Sequence, residues 1–426
     1  MQTLRARVSG LLDKGQVRTV GRDTSLILAG YAVQLLTQVG WLLLAVRSLG
    51  PGGYGFFASL TAITVAASCF VGWGCDGLLI RAVTRDPATL RAWLGHSLGL
   101  ITATGAIVLL FGLLALPVLE VGQIGARSLF LILAADLVLA RYANLCIAVY
   151  MATGQAARQS VVTIVIGACR FAAIALATVV SGSLTLEVWS WWYAGASLVA
   201  ATLCLGLVVR EHGMPLIRWM GGHVGEGLTF AAESALGASA RDLDKPVVLE
   251  VAGAEAAGTY AAAFRIVETL GMPVRALASA SYARMFQLAH VDPAQCVAYA
   301  NRLIPIAAAI AGACGLCFAI AAGFLPLVFG ERYEALPLIV RLAAIFPLLA
   351  GLYGIWADAL SATGRQHVRL GIVGASLGLT VTLCWIGVHA HGLEGAAVAR
   401  VAAMAVTTTL AWIALPRRSH TNRSGG

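Results

Sequence analysis

The residues with chemistry to offer are charges placed where charge is costly. Between Leu228 and Glu250, an apolar stretch long enough to span a bilayer carries Arg241, Asp242, Asp244 and Lys245 near its middle. On insertion scales each such group costs roughly 2.5 to 3.5 kcal/mol at the centre of a membrane helix, so the stretch spans only if they face protein partners or a watered cavity. At the helical repeat the four fall within an arc of about 160°, with Leu236, Ala240, Leu243 and Val247 opposite. One face is therefore expected to be wet. On the next span Arg265, Glu268, Met272 and Arg275 fall within an arc of about 80°, a basic stripe interrupted by one acid. Arg241 and Arg265 come out at a similar depth, roughly 14 Å below the external ends of their spans, which would let them line one chamber.

Arg141, Arg170, Arg341 and Arg400 add cations from four further spans. A guanidinium is a planar fork that grips phosphate with two parallel bonds and stays charged, so this residue choice suits a phosphorylated ligand. The first span sets Gln34, Gln38 and Trp41 on one face; amides and an indole suit sugar hydroxyls and rings. A second reading stays open, in which Asp136, Glu233, Asp242, Asp244, Glu268 and Asp358 neutralise most of the cations as structural ion pairs. Pro246 removes a backbone donor just after Lys245, so the helix is expected to bend beside its charged patch, a candidate hinge.

Enzymatic chemistry finds no support. There is no grouping of nucleophile, base and acid, no zinc-spaced histidine pair on a helix, and no carboxylate pair on a large loop. Gly50-Pro51-Gly52-Gly53-Tyr54-Gly55 follows no strand and precedes no Lys-Ser/Thr, so it reads as a tight external turn and not as a phosphate cradle. Cys314 and Cys317 lie inside an apolar run and read as packing residues. Neither a metal nor a cofactor is expected.

The elements that must hold these charges follow from composition. Of 426 residues, 59% are hydrophobic and 12% charged, and mean hydropathy is +0.84. A soluble domain carries about 25% charged residues. Apolar runs recur as far as residue 415, and twelve can be placed: 24–46, 55–79, 94–118, 127–150, 160–180 and 187–209, then 228–250, 256–281, 302–323, 335–359, 367–388 and 394–415. The organisation is a cytoplasmic amphipathic or merely solvated basic segment at 1–23, an N-lobe at 24–209, a polar connector at 210–227, a C-lobe at 228–415, and a basic tail at 416–426. The formal net charge is +9. Sorted by these spans, about 18 of the Lys and Arg residues fall on one side and about three on the other, an orientation signal that puts both termini in the cytoplasm. Nucleic acid is not needed to explain the charge. Trp189, Trp191, Trp192 and Tyr193 open the sixth span and read as an interfacial belt; Gly374 and Gly378 read as a small-residue packing face.

The halves repeat at a shift of about 203 to 210 residues. Gly50, Gly55, Phe57 and Ala58 align with Gly253, Gly258, Tyr260 and Ala261; Leu116-Pro117 aligns with Leu325-Pro326; and Ala152-Thr153-Gly154 aligns with Ala362-Thr363-Gly364. Both halves start on the same side, so the repeat is parallel, about an axis along the membrane normal. The expected fold is an all-α integral membrane bundle of about twelve transmembrane helices, in two pseudo-symmetric six-helix lobes around a central cavity.

With these features the chain resembles the oligosaccharide flippases of the Wzx type, in the multidrug/oligosaccharidyl-lipid/polysaccharide exporter superfamily. The resemblance is carried by Leu49-Gly50-Pro51-Gly52-Gly53-Tyr54-Gly55, Leu243-Asp244-Lys245, Gly258-Thr259-Tyr260 and Ala362-Thr363-Gly364. It implies transfer of undecaprenyl-diphosphate-linked oligosaccharide repeat units across the bacterial inner membrane for O-antigen, capsule or exopolysaccharide assembly, by alternating access. The bilayer, a polysaccharide polymerase and a chain-length regulator are its implied partners. Coupling to an ion gradient would fall to Glu268, Asp244 or Asp136. A multidrug antiporter of the same superfamily is expected to carry an acid in the first span, where this chain has Gln34 and Gln38; a glycan polymerase or membrane glycosyltransferase is expected to need a large external loop.

Overall fold

The computed structural model describes residues 14–114, 125–182, 184–220 and 224–416, with side chains left out at 14–32, 34, 224 and 283. Residues 1–13, Leu116-Pro117, Gly221 to His223 and the tail from 417 onward lie outside the described residues, so the amphipathic segment and part of the repeat alignment are not addressed.

Every regular element is a helix. Helix Lys14–Ser68 breaks at Gly50 (φ 67°, ψ 175°), giving α1 (14–49) and α2 (51–68), and α2 resumes after a turn as Cys75–Arg85. There follow α3 (Leu90–Leu114), α4 (Ala126–Ala152), α5 (Ala156–Ser181) and α6 (Leu186–His212). The second half has α7 (Val224–Asp242, resuming as Asp244–Ala252), α8 (Ala254–Leu270, resuming as Met272–Val291), α9 (Pro293–Ala321), and α10 (Leu336–Leu342, resuming as Phe346–Ala362). Helix Gln366–Ile413 breaks at His391 and Gly392 into α11 (366–390) and α12 (393–413). The described residues thus make twelve helical passes, as the hydropathy pattern predicts.

Among the described residues six helices, counting Gln366–Ile413 as one, are long and apolar enough to cross a membrane by length and composition, and a seventh follows if the α10 segments, bent by 49°, count as one span. The α7 and α8 segments fall short of that measure because their spans are broken and carry the intramembrane charges. Within these helices threonine hydroxyls donate back to the carbonyl four residues earlier, as Thr102 does to Leu98, Thr104 to Leu100 and Thr407 to Ala403. Each of these hydroxyls thus has an acceptor within its own helix and needs none from hydrocarbon.

The chain forms two compact units, 1–44 with 67–232 and 45–66 with 233–426. The first packs around Leu79, Leu94, Ile101, Ile132, Leu145 and Trp189, all buried. In it Glu211 ties three helices, accepting from the Tyr150 hydroxyl at 2.9 Å and pairing with Arg158 at 2.6 Å. The second packs around Tyr260, Phe264 and Tyr333, with an apolar cluster at Val274, Met285, Leu303, Ile355 and Leu360.

The internal repeat is visible in backbone detail. Gly50 (φ 67°, ψ 175°) and Gly253 (φ 86°, ψ 173°), 203 residues apart, share one conformation. After α4 the N–H groups of Thr153 and Gln155 bond to the carbonyls of Val149 and Tyr150, and after α10 those of Thr363 and Arg365 bond to Ala359 and Leu360. Gly154 and Gly364, at φ 69° and 78°, make both of these left-handed helix ends available. Near Gly50 two helix starts cross at a distance only glycine allows. A Cβ on Gly55 would lie 2.1 Å from the Ala254 carbonyl oxygen, and one on Gly258 would lie 1.9 Å from that of Pro51. The 203-residue shift carries Pro51 to Ala254 and Gly55 to Gly258, so each contact is the image of the other.

Candidate functional site

In the second unit the charges of α7 gather where that helix breaks. Leu243 forms the break, three residues before Pro246, whose ring nitrogen cannot bond back into the turn below. On the near side the carbonyls of Ala240 and Arg241 accept from the Arg400 guanidinium of α12, at 3.1 and 2.6 Å. On the far side Asp244 lies 3.5 Å from the same guanidinium and accepts from the Tyr260 hydroxyl at 2.5 Å. One arginine thus satisfies the carbonyls of the last turn before the break and neutralises the carboxylate just after it. Its other faces lie over the rings of Phe264 and Phe346, 5.9 and 5.5 Å from their centroids. Both ionic side chains are sealed, Arg400 at 6% and Asp244 at 1% exposure. Cys384 donates toward the Asp244 carbonyl oxygen at 3.9 Å.

Directly after Asp244, Lys245 pairs back across the break with Asp242. Around that pair stand Arg265 and Glu268 of α8, with Tyr54 of α2 within Coulomb range of all four groups. Arg265 and Glu268 are half-buried. Among the described residues neither side chain makes a hydrogen bond or ion pair. The arrangement is one sealed ionic lock beside a looser group in which the Arg265 and Glu268 side chains lack such a partner among the described residues.

The remaining predicted cations sit elsewhere. Arg241 is exposed, with no ion pair among the described residues. Arg275 is exposed and donates to the Glu268 carbonyl at 2.8 Å; Arg341 is exposed and donates to that of Ala319 at 3.3 Å. In the first unit Arg141 pairs with Asp76 at 2.6 Å. Arg170 bonds the Tyr193 hydroxyl at 3.3 Å, which donates to Asp136 at 2.5 Å. Asp136 lies on a π-helical bulge of α4, Ala135–Leu139. Gln38 and Trp41 are half-buried on α1, and the side chain of Gln34 lies outside the described residues. Among the described residues Arg141, Lys245 and Arg400 are ion-paired to acids, Arg170 reaches Asp136 only through the Tyr193 hydroxyl, and Arg241, Arg265, Arg275 and Arg341 have no ion pair.

Asp76 and Tyr260 are the polar partners that sequence reasoning missed. Asp76 falls at the end of an apolar run, where it reads as a boundary residue; Tyr260 stands where the repeat has Phe57, and its hydroxyl is what that substitution adds. The belt reading of the sixth span needs correction. Trp191 is exposed, yet Trp189 and Tyr193 are buried, one helical turn apart on the inward face, and Tyr193 serves Asp136 and Arg170. The nine cysteines are free thiols, and no group of three or more metal-ligating side chains occurs among the described residues.

Residues 43–337 match the profile of a family described as polysaccharide biosynthesis protein. The chain belongs to that family. Sequence comparison with curated proteins finds no match. Among solved structures the chain is similar to a multidrug resistance MATE family transporter of the MOP superfamily in an inward-facing conformation, with a TM-score of 0.74 at 15% identity, covering 89% of this chain and 93% of that one. It is also similar to the lipid II flippase MurJ in an inward closed conformation (TM-score 0.72, 10% identity, 92% and 87% covered). A third is a MOP superfamily transporter from Pyrococcus furiosus titled for the reverse polarity of its binding pocket (0.65, 17%, 91% and 92%). Family and fold agree with the Wzx-type resemblance carried by the motifs: this polysaccharide biosynthesis protein is a multi-pass membrane protein with a MOP transporter fold.

Proposed function

We propose that the protein is a flippase, not an enzyme, and that it moves diphosphate-linked lipid oligosaccharide units across the bacterial inner membrane with both termini in the cytoplasm. The observation that carries this reading is Arg265, a half-buried guanidinium in the middle of an apolar helix with no carboxylate bound to it among the described residues. A buried-side cation left open in a polysaccharide biosynthesis protein fits an anionic headgroup that arrives and departs. Arg241, exposed beside the α7 break, is the second cation offered to the diphosphate, and Gln38 and Trp41 suit the glycan. Arg400, Arg141 and Arg170 act on the scaffold through their bonded acids and tyrosine. If transport is ion-coupled, Glu268 is the acid to test first, because Asp244 and Asp136 already accept hydrogen bonds. The antiporter reading gains nothing from α1, which offers Gln38 where that class is expected to carry an acid.

The test is Arg265→Ala in cells assayed for surface polysaccharide. Export is expected to fall by about tenfold or more, which corresponds to losing one charge-assisted bond of about 1.5 to 3 kcal/mol, while the amount of inserted protein stays unchanged. Arg265→Lys, which keeps charge but loses the fork, should fall between. Wild-type export by Arg265→Ala overturns the assignment.

A further inference from the structure

The segment after α6 is held in place with its apolar side chains turned outward. Residues 213–220 form no helix and lie along the first turns of α3 within the first unit. Leu216 N–H donates to the Arg91 carbonyl at 2.9 Å, and Arg91 Nε donates to that of Met214 at 2.8 Å. Met220 N–H reaches His96 Nδ1 at 3.4 Å, and the Trp219 ring meets the His96 ring edge-on at 5.0 Å. Gly95 makes the seat, for a Cβ there would lie 2.0 Å from the Leu216 carbonyl oxygen. A segment fixed by this many bonds is ordered, yet Met214 is 67% exposed, Leu216 50%, Trp219 65% and Ile217 98%. These four follow the end of the α6 span, so acyl chains beside a transmembrane helix do not account for them.

Charge at the same end says what covers them. Arg85 at the end of α2, Arg210 in the last turn of α6 and Arg218 within the segment are exposed, and none has a carboxylate partner among the described residues. The nearby acids are engaged: Glu211 with Arg158, Glu226 with Arg81, and Asp86 with the Ala88 N–H. An ordered segment of Met, Leu, Ile and Trp, flanked by unpaired guanidiniums at the end of a span, has the composition that settles at the headgroup boundary of an anionic membrane. We propose that residues 213–220 form an interfacial anchor, with Ile217 and Trp219 inserted among lipid headgroups and Arg210 and Arg218 binding the phosphates of anionic phospholipid. The anchor would fix the depth of α3 and α6 in the bilayer. It does not depend on what the protein transports.

The experiment is hydrogen exchange, read by mass spectrometry on the peptide covering 213–220, with the full chain in nanodiscs of phosphatidylcholine alone or mixed with phosphatidylglycerol. Ile217, Arg218 and Trp219 are the informative amides, since those of Leu216 and Met220 are bonded within the fold. Their exchange should slow by about tenfold in the anionic discs. Ile217→Ser, at a side chain that is almost wholly exposed, should remove that protection while α3 and α6 stay protected. Arg210→Gln with Arg218→Gln should remove the difference between the two lipids. Equal exchange in both disc types overturns the proposal. So does protection that appears only when a second protein is added, which would make the segment a protein-docking surface.

Discussion

Replacing Arg400 with methionine tests the lock at the α7 break. Methionine keeps apolar contact with Phe264 and Phe346 but removes the only cation hydrogen-bonded or ion-paired to Asp244 among the described residues, together with the donors to the Ala240 and Arg241 carbonyls. Asp244 is 1% exposed, so the orphaned carboxylate cannot turn to water. Breaking a buried pair from one side costs about 3 to 5 kcal/mol, because it leaves an uncompensated charge, whereas replacing both partners is far milder. Arg400→Met is therefore expected to destabilise the protein by about that amount, and adding Asp244→Asn should restore more than half of it, since an amide can still accept from Tyr260. The assay is thermal unfolding of detergent-purified protein, followed by a thiol-reactive dye. With the other eight cysteines replaced by serine in every variant compared, Cys384, buried against the Asp244 carbonyl, reports opening at the break itself. If Arg400→Met unfolds at the wild-type temperature, or if the double variant is no better than the single one, the guanidinium is not what holds the two segments.

Two further outcomes follow from the geometry. Gly258→Ala should abolish recovery of monodisperse protein, because its Cβ would meet the Pro51 backbone at 1.9 Å, while Gly99→Ala, with nothing within 4 Å, should leave yield unchanged; equal yields would refute the close crossing, as size-exclusion chromatography would show. In a chain whose native cysteines are replaced by serine, Glu255→Cys, exposed at the start of α8, should react on intact cells with a membrane-impermeant thiol reagent, and Arg85→Cys should react only after the cells are opened; the opposite pattern would invert the topology.

Much of the fold is legible in the sequence because hydrocarbon enforces one solution, a helix, for every apolar run of sufficient length. The duplicated motifs were readable for a similar reason: Gly50 and Gly253, or Gly154 and Gly364, mark backbone conformations that few other residues adopt. Helix breaks were harder. The Pro246 bend follows from chemistry, but the turn at 69–74 between the two parts of α2 depends on Gly72 and Gly74, whose positive φ is a tertiary outcome. The site was half legible. Periodicity says which face a charge occupies and cannot name its partner, and the partners came from distant helices: Asp76 for Arg141, Tyr193 for Arg170, Tyr260 and Arg400 for Asp244. Trp189 and Tyr193 failed as belt residues because four apolar-to-amphipathic rings in five positions must fall on more than one face of a helix.

The mutual approach of Gly55 and Gly258 bears on the symmetry of the repeat. A contact that maps onto itself under the 203-residue shift has the form of an isologous interface, in which one patch meets its own copy. One glycine per copy is then enough for both sides, because each helix start receives the other's carbonyl where its own Cβ would stand. The symmetry of the contact does not extend to its neighbours: two positions on, one copy has Phe57 where the other has Tyr260, and only the hydroxyl grips Asp244.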